Sequence, residues 1–97
     1  MYIVVSKWEC IPGHEAQFRE KGLAMRNMLR GRPEIELLEH FESGPGQIMV
    51  VMGYKDEAAY KAVVHDPQGV FAKGLAEHRL EDHSRWLWSE RGEAEKH

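Results

Sequence analysis

Six histidines in a chain of 97 residues are the first place to look for chemistry. Imidazole titrates near neutral pH and is a common metal ligand, so a histidine can serve either as a base or in a metal site. His78 and His83 are five residues apart, a spacing that does not bring two side chains to one helical face. His40 is distant in sequence, and neither an HxH nor an HxxxH pair occurs. We therefore predict no metal site, and since no cofactor motif is visible we expect no cofactor.

His78 is the strongest candidate for a catalytic base. It continues the spacing of Phe71 and Leu75 at i, i+4 and i+7, which is typical of a buried helix face. A ring in that position accepts a proton from a phenol near neutral pH. The alternative is a core histidine bonded to a backbone carbonyl. His65 either lines the mouth of the same cavity or caps the end of its helix, where a partly cationic ring is favoured.

Aromatic residues supply the remaining candidates for a ligand pocket. Trp8 shares strand parity with Ser6, and Trp86 shares it with Trp88, so each pair is expected on one side of a sheet. Tyrosines near the second helix would add hydroxyl groups to an otherwise apolar wall, as an aromatic ligand requires. Packing of the tryptophans in the core is the alternative. The predicted pocket residues are Ser6, Trp8, His40, Tyr54, Tyr60, His65, Phe71 and Trp86.

Alternating strands and helices must position these side chains. Strands are predicted over 2–10, 35–42, 47–54 and 84–90, from β-branched and aromatic composition and from bordering turn residues. Helices are predicted over 14–30 and 56–79, the second broken at Asp-Pro-Gln-Gly, residues 66–69. The order βαββαβ favours an α+β, ferredoxin-like fold: an antiparallel four-stranded sheet with both helices on one face.

Length and composition limit the domain organisation and the partners. Residues 1–90 fit a single domain, and 91–97 are expected to form a disordered C-terminal tail. The net charge is -3, without a basic block, so nucleic acid is not an expected partner. No long apolar segment or basic leader is visible, and the single cysteine, Cys10, cannot form an internal disulfide. We expect a cytoplasmic protein that does not bind membranes.

The third strand carries a signal of oligomerisation. It is apolar over the run from Ile48 to Met52, which indicates that both of its faces are covered. One layer of helices covers only one face, and a large exposed apolar patch usually marks an interface. We therefore predict a homodimer that packs sheet against sheet with two-fold symmetry.

Four segments, in their order and spacing, carry a family resemblance: IPGHEAQF, RPEIELLEHFES, VVMGYKDEAAY and HDPQGVFAKGLAEH. Over roughly residues 3 to 90 the chain resembles the antibiotic biosynthesis monooxygenase-like domains of the dimeric α/β barrel superfamily. The resemblance implies a dimeric α/β barrel with a cavity for a small molecule. Such domains include cofactor-free quinol oxygenases, haem-degrading oxygenases and small-metabolite isomerases, so the fold does not settle the activity.

The sequence departs from the family's usual residues at two known sites. Tyr54-Lys55 stands where the third strand usually ends in a Trp followed by a charged or polar residue, so the Trp-based site of the polyketide oxygenases is not matched. Ser6, Val63 and about Leu75 stand where the haem-degrading domains have Asn, Trp and His, so no member of that triad is present. The function that the resemblance implies is a monooxygenase that acts without metal or flavin on a small aromatic or quinol-like metabolite. The alternative is a non-catalytic small-ligand-binding or structural homodimer of the same fold, so enzymatic activity stays open.

Overall fold

The computed structural model describes residues 1–95 and shows four strands and three helices. In chain order these are β1 (Tyr2–Cys10), α1 (Glu15–Arg30), β2 (Ile35–Gly44), β3 (Gln47–Tyr54), α2 (Glu57–Val64), α3 (Val70–Glu77) and β4 (Ser84–Glu93), with a short 3₁₀ turn at Leu80–Asp82. The predicted order of elements is confirmed. No helix in the described part of the chain is long and apolar enough to cross a membrane.

The four strands form one antiparallel sheet in the order β2-β3-β1-β4. The helices cover one face of it, where Met25 and Leu29 of α1 join Val50, Met52 and Tyr54 of β3 in the buried core. This is the ferredoxin-like α+β fold that the sequence predicts. The sheet and the single helical layer are therefore the two walls between which a ligand could lie.

Strand pairing decides which side chains face the helices. Opposed residues of antiparallel strands point to the same face of a sheet, and successive residues alternate. The helix-facing set consists of Val4, Ser6 and Trp8 of β1, opposed by Met52, Val50 and Ile48 of β3. The helix-free set contains Ile3, Val5 and Lys7, opposed by Gly53, Val51 and Met49. Apolar residues occupy both faces of β3, as its sequence predicts.

The predicted break in the second helical segment is confirmed. α2 ends at Val64 and α3 begins at Val70. Pro67 has no backbone N–H to donate, and the Asp66 carboxylate accepts a hydrogen bond from the backbone nitrogen of Gln68 at 2.9 Å. The Gly69 nitrogen donates to the Asp66 carbonyl at 3.0 Å and closes the turn. The turn thus divides the segment into two short helices.

A β-bulge in β4 makes the predicted parity of its tryptophans wrong. Trp86 is opposite Trp8, whereas Trp88 is opposite Lys7, so Leu87 is an additional residue on β4. A bulge places two residues of one strand against one of its partner and reverses the alternation beyond it. Trp86 therefore faces the helices and Trp88 faces the helix-free side.

The prediction of a disordered tail from residue 91 is wrong for its first residues. β4 continues to Glu93, with Arg91 opposite Val4 and Glu93 opposite Tyr2. Polar composition suggested disorder, but pairing along β1 supplies backbone hydrogen bonds whatever the side chains are. The Ala94 nitrogen extends this pairing by donating to the Met1 carbonyl at 2.9 Å. Residues 96 and 97 of the predicted tail lie outside the described residues.

Candidate functional site

A cavity of about 300 Å³ lies between the sheet and the helices. This volume is at the lower end of the range for small-molecule sites. Its lining consists of Val4, Ser6, Trp8, Ile48, Val50, Met52, Tyr54, Ser84, Trp86, Ser89 and Arg91 from the sheet, Phe18, Gly22, Met25, Arg26 and Leu29 from α1, and Tyr60, Val64, Phe71 and Leu80 from the following segments. Trp86 lines the cavity while 57% exposed, so it lies at the mouth. We call this space the main cavity.

Six of the predicted pocket residues meet in the main cavity: Ser6, Trp8, Tyr54, Tyr60, Phe71 and Trp86. Two Trp–Ser pairs fix the wall on β1 and β4. The Trp8 indole donates to the Ser6 hydroxyl at 2.9 Å, and the Trp86 indole donates to the Ser89 hydroxyl at 2.8 Å. Each bond satisfies the one polar atom of a tryptophan, so the rings present apolar surface to a ligand.

Tyrosines form the opposite end of the main cavity. The Tyr60 ring lies 5.3 Å from that of Tyr54 and 5.2 Å from that of Tyr2, between ring centroids. Burial, followed by the neighbouring Tyr60, raises the pKa of Tyr54. Its hydroxyl therefore stays protonated near neutral pH, where it can donate a hydrogen bond and cannot act as a base. It lies 3.6 Å from the Met52 sulfur, a weak acceptor.

A second cavity, of about 290 Å³, adjoins the main one. Phe18, Arg26 and Ile48 line both. The predicted pocket residue His40 lines this second cavity, and its Nδ1 is buried without a hydrogen-bond partner among the described residues. Burial, then the charges of Arg26 and Arg30, lowers the pKa of His40, against a smaller opposing effect of Glu39. The ring is therefore unprotonated at neutral pH.

The structure places the other two predicted histidines outside both cavities. α3 ends at Glu77, one residue before His78, so His78 is the C-terminal cap and does not continue the inward face. The prediction that His78 points into the pocket is wrong. The chain leaves the helical path at Arg79, whose backbone is in the left-handed region at φ 49°. His65 caps α2 and is exposed, with its ring packed on Tyr60 at 5.2 Å. Its alternative role as a helix cap is the one observed.

The buried histidine of this region is His83, which is only 2% exposed. Its Nε2 donates to the His78 carbonyl at 3.2 Å, since a carbonyl only accepts, and its Nδ1 lies 2.8 Å from the Ser84 hydroxyl. The bond to a backbone carbonyl that was the alternative for His78 is thus made by His83. These contacts tie the end of the 3₁₀ turn to the loop after α3, and His83 lines neither cavity.

Sequence reasoning missed Arg26 and Arg91 as cavity residues. Arg91 was assigned to the tail. Arg26 has a signal in the sequence, because it follows Phe18 and Gly22 at steps of four on the buried face of α1. A charged residue on an apolar helical stripe is a candidate for function, since burying a charge without a partner is costly.

Comparisons with known proteins address the fold. No family model matches the sequence, and no curated protein matches it. A solved structure named antibiotic biosynthesis monooxygenase superposes with a TM-score of 0.77 at 16% identity, covering 99% of this chain and 100% of the other. The chain shares the fold of the antibiotic biosynthesis monooxygenases.

Two further structures agree with this assignment of fold. A candidate antibiotic biosynthesis monooxygenase from Deinococcus radiodurans has a TM-score of 0.74 at 15% identity, covering 100% of this chain and 95% of its own. One from Chloroflexus aurantiacus J-10-fl has a TM-score of 0.71 at 13% identity, covering 99% and 95% respectively. The likeness extends over the whole chain, which agrees with the sequence resemblance.

Proposed function

We propose that the protein is a monooxygenase that acts without metal or flavin on a small aromatic or quinol-like metabolite held in the main cavity. The observation that carries this proposal is the aromatic, predominantly apolar lining of that cavity. The names of the structural neighbours point in the same direction. Apolar walls suit a planar ring system, and the tyrosine hydroxyls supply the polar contacts that orient it.

The proposed reaction needs no redox cofactor to balance. At an anthrone-type carbon two C–H bonds break and one C=O bond forms, so the substrate loses four electrons. Dioxygen accepts them: one oxygen atom enters the carbonyl group and the other leaves as water with the two hydrogens. The substrate must first lose a proton, because its anion reacts with dioxygen much faster than the neutral molecule. The protein's task is therefore to bind the ring and assist ionisation.

We propose His40, instead of His78, as the proton acceptor. It lines the second cavity and not the main one, so the acidic group of the substrate would have to reach the junction at Arg26, Phe18 and Ile48. Its lowered pKa leaves the ring unprotonated and able to accept a proton there. Oxidation of an anthrone should fall by about 100-fold in His40→Gln, the usual scale of general base catalysis. His78→Ala should retain the rate. Loss of rate in His78→Ala with none in His40→Gln would overturn this assignment.

The cavity itself is tested by filling it. Val4 lines the main cavity from β1, so Val4→Trp should place an indole where the ligand binds and abolish oxidation. Ala62→Trp adds the same ring at an exposed position of α2 and should leave the rate unchanged. Oxidation is followed by chromatography with ¹⁸O₂, which should label the product carbonyl in protein treated with chelator and free of flavin. An unlabelled product, or full activity of Val4→Trp, would contradict the proposal.

One observation favours the alternative of a ligand-binding homodimer without turnover. Among the described residues that line the main cavity there is neither a histidine nor a carboxylate. If this alternative is correct, an aromatic ligand binds and is recovered unchanged under oxygen.

We further propose that the protein is a homodimer formed through the helix-free face of the sheet, and that it resides in the cytoplasm. Phe41 and Trp88 lie on that face and are 55% and 41% exposed. The free and half-buried Cys10 suits a reducing compartment. Cell fractionation tests the location, since recovery outside the cytoplasmic fraction would contradict it.

A further inference from the structure

The guanidinium of Arg26 lies at the junction of the two cavities, and no carboxylate among residues 1–95 forms an ion pair with it, although Glu15 and Glu42 line the second cavity. Its Nε is buried and has no hydrogen-bond partner, and none of the ion pairs within residues 1–95 includes it. Burial, then the like charge of Arg30, lowers the pKa of Arg26, but an arginine remains charged in a protein. Arg26 is half-buried, and an anion that bound to its guanidinium would offset the cost of this partial desolvation.

The charges around the main cavity are of one sign. Arg26 and Arg91 line it, while no Asp or Glu does so in the described part of the chain. The whole chain has the opposite balance, with 16 Asp and Glu against 13 Lys and Arg. The Arg91 guanidinium carbon lies 6.0 Å from the centroid of the Tyr60 ring, at cation–π distance. The cavity is therefore locally positive in a protein that is acidic overall.

Gly22 allows Arg26 to take this position. A Cβ atom at Gly22 would lie 3.1 Å from Nη1 of Arg26 and 3.6 Å from Nη2, so the end of the side chain rests against bare helix backbone. Gly22 lines the main cavity and not the second one. The terminal nitrogens of Arg26 are therefore on the side of the main cavity. The unpaired Nε lies nearer to the helix backbone, one bond before the guanidinium carbon.

We propose that Arg26 binds the acidic group of an aromatic oxyanion, a carboxylate or an ionised phenol or enol, whose ring system occupies the main cavity. This proposal rests on the proposed function in one respect: both require that an aromatic ligand binds in the main cavity. A planar guanidinium can donate two parallel hydrogen bonds to such a group. In the oxidation proposed above, Arg26 would favour the ionised substrate and so promote the step that precedes reaction with dioxygen. Arg26 is a binding residue here and not the proton acceptor.

The test compares two ligands of nearly equal shape by titration calorimetry: 2-naphthoate and its neutral amide, 2-naphthamide. The wild-type protein should bind the naphthoate at least about 10-fold more tightly, as expected for hydrogen bonds to a charged group. Arg26→Met should abolish the preference and keep the affinity for the amide. Lys21→Met removes one positive charge from an exposed position of the same helix and should leave the preference intact.

Gly22→Ala provides a variant in which no charge changes. Its Cβ would lie 3.1 Å from Nη1 of Arg26, so the guanidinium must shift by a few tenths of an ångström, and affinity for naphthoate should fall while affinity for the amide holds. The melting temperature should rise, because alanine is the better helix former. Unchanged naphthoate affinity in Arg26→Met would overturn the proposal.

The outcomes separate this inference from the proposed function. Equal binding of the two ligands by the wild-type protein rejects the oxyanion site and leaves the aromatic cavity in place. Failure of both ligands to bind rejects the cavity as a ligand site, and with it both proposals. Selective binding of naphthoate supports the Arg26 site even in a protein that oxidises no anthrone.

Discussion

At the residue scale, two histidines near the end of α3 exchange the roles that their sequence positions suggest. His78 has the helical spacing of a buried residue, but the helix ends before it. His83 has no such spacing and is almost completely buried, because the 3₁₀ turn carries it back under the Phe18 ring, at 6.5 Å between centroids. Periodicity predicts burial only while the helix lasts.

We predict that His83 contributes to stability and that His78 does not. His83→Ala removes two hydrogen bonds and leaves a buried gap, so the free energy of unfolding should fall by about 2 kcal/mol or more. His78→Ala keeps the backbone carbonyl that His83 contacts, so the free energy of unfolding should change by less than about 0.5 kcal/mol. Urea unfolding followed by tryptophan fluorescence measures both. Equal losses in the two variants would contradict this assignment.

Candidate site residues were predictable where an ordinary strand or helix face carried them. Ser6, Trp8 and Tyr54 follow from alternation along β1 and β3, which the structure preserves. Arg26 lies on the buried face of α1, but an arginine on a helix is usually exposed, so its residue type alone does not indicate a cavity. His78 was misplaced because the end of α3 depends on a left-handed residue, Arg79, that no glycine announces.

At the scale of elements, the sequence predicts the order of strands and helices well and their ends less well. Composition marks β3 and the Asp-Pro-Gln-Gly break, since apolar runs and proline act locally. The bulge at Leu87 and the extension of β4 are different, because both are determined by the partner strand β1. The register between two strands that are distant along the chain, such as β1 and β4, cannot be predicted from a single sequence.

The extension of β4 leads to a prediction about truncation. A chain that ends at residue 90 loses the pairing of 91–93 with β1, the Ala94–Met1 hydrogen bond and the ion pair of Glu93 with the N-terminal amine at 3.6 Å. Its free energy of unfolding should be lower by about 2 kcal/mol, chiefly from lost backbone hydrogen bonds, since the exposed ion pair contributes little. Thermal unfolding monitored by circular dichroism measures the difference from a chain that ends at residue 95. Identical curves would show that the extension adds no stability.

At the scale of the whole molecule, the sheet presents a second apolar surface that none of the described helices covers. We call it the helix-free face, made of Ile3, Val5, Leu37, Phe41, Met49, Val51 and Trp88 with the charged residues Lys7, Glu39 and Glu90 among them. Isolated exposed apolar residues are normal, but a contiguous patch at the centre of a sheet usually marks an interface. A second copy offers both an apolar surface and charges of either sign, so it is the partner that we propose.

The dimer is tested at the centre of this face. Val51 lies on β3 between Val5 and Glu39 on the helix-free face, so Val51→Lys places a cation within the proposed interface, and the second copy contributes another. In the monomer the lysine would remain in water beside Glu39, and the fold should persist. A stable interface buries at least about 1,200 Å² in total, so the wild-type protein should sediment as a dimer at micromolar concentration and Val51→Lys as a folded monomer. Ala62→Lys adds the same charge on the exposed side of α2 and should remain dimeric. A monomeric wild-type protein would reject the homodimer, and a dimeric Val51→Lys protein would place the interface on another surface.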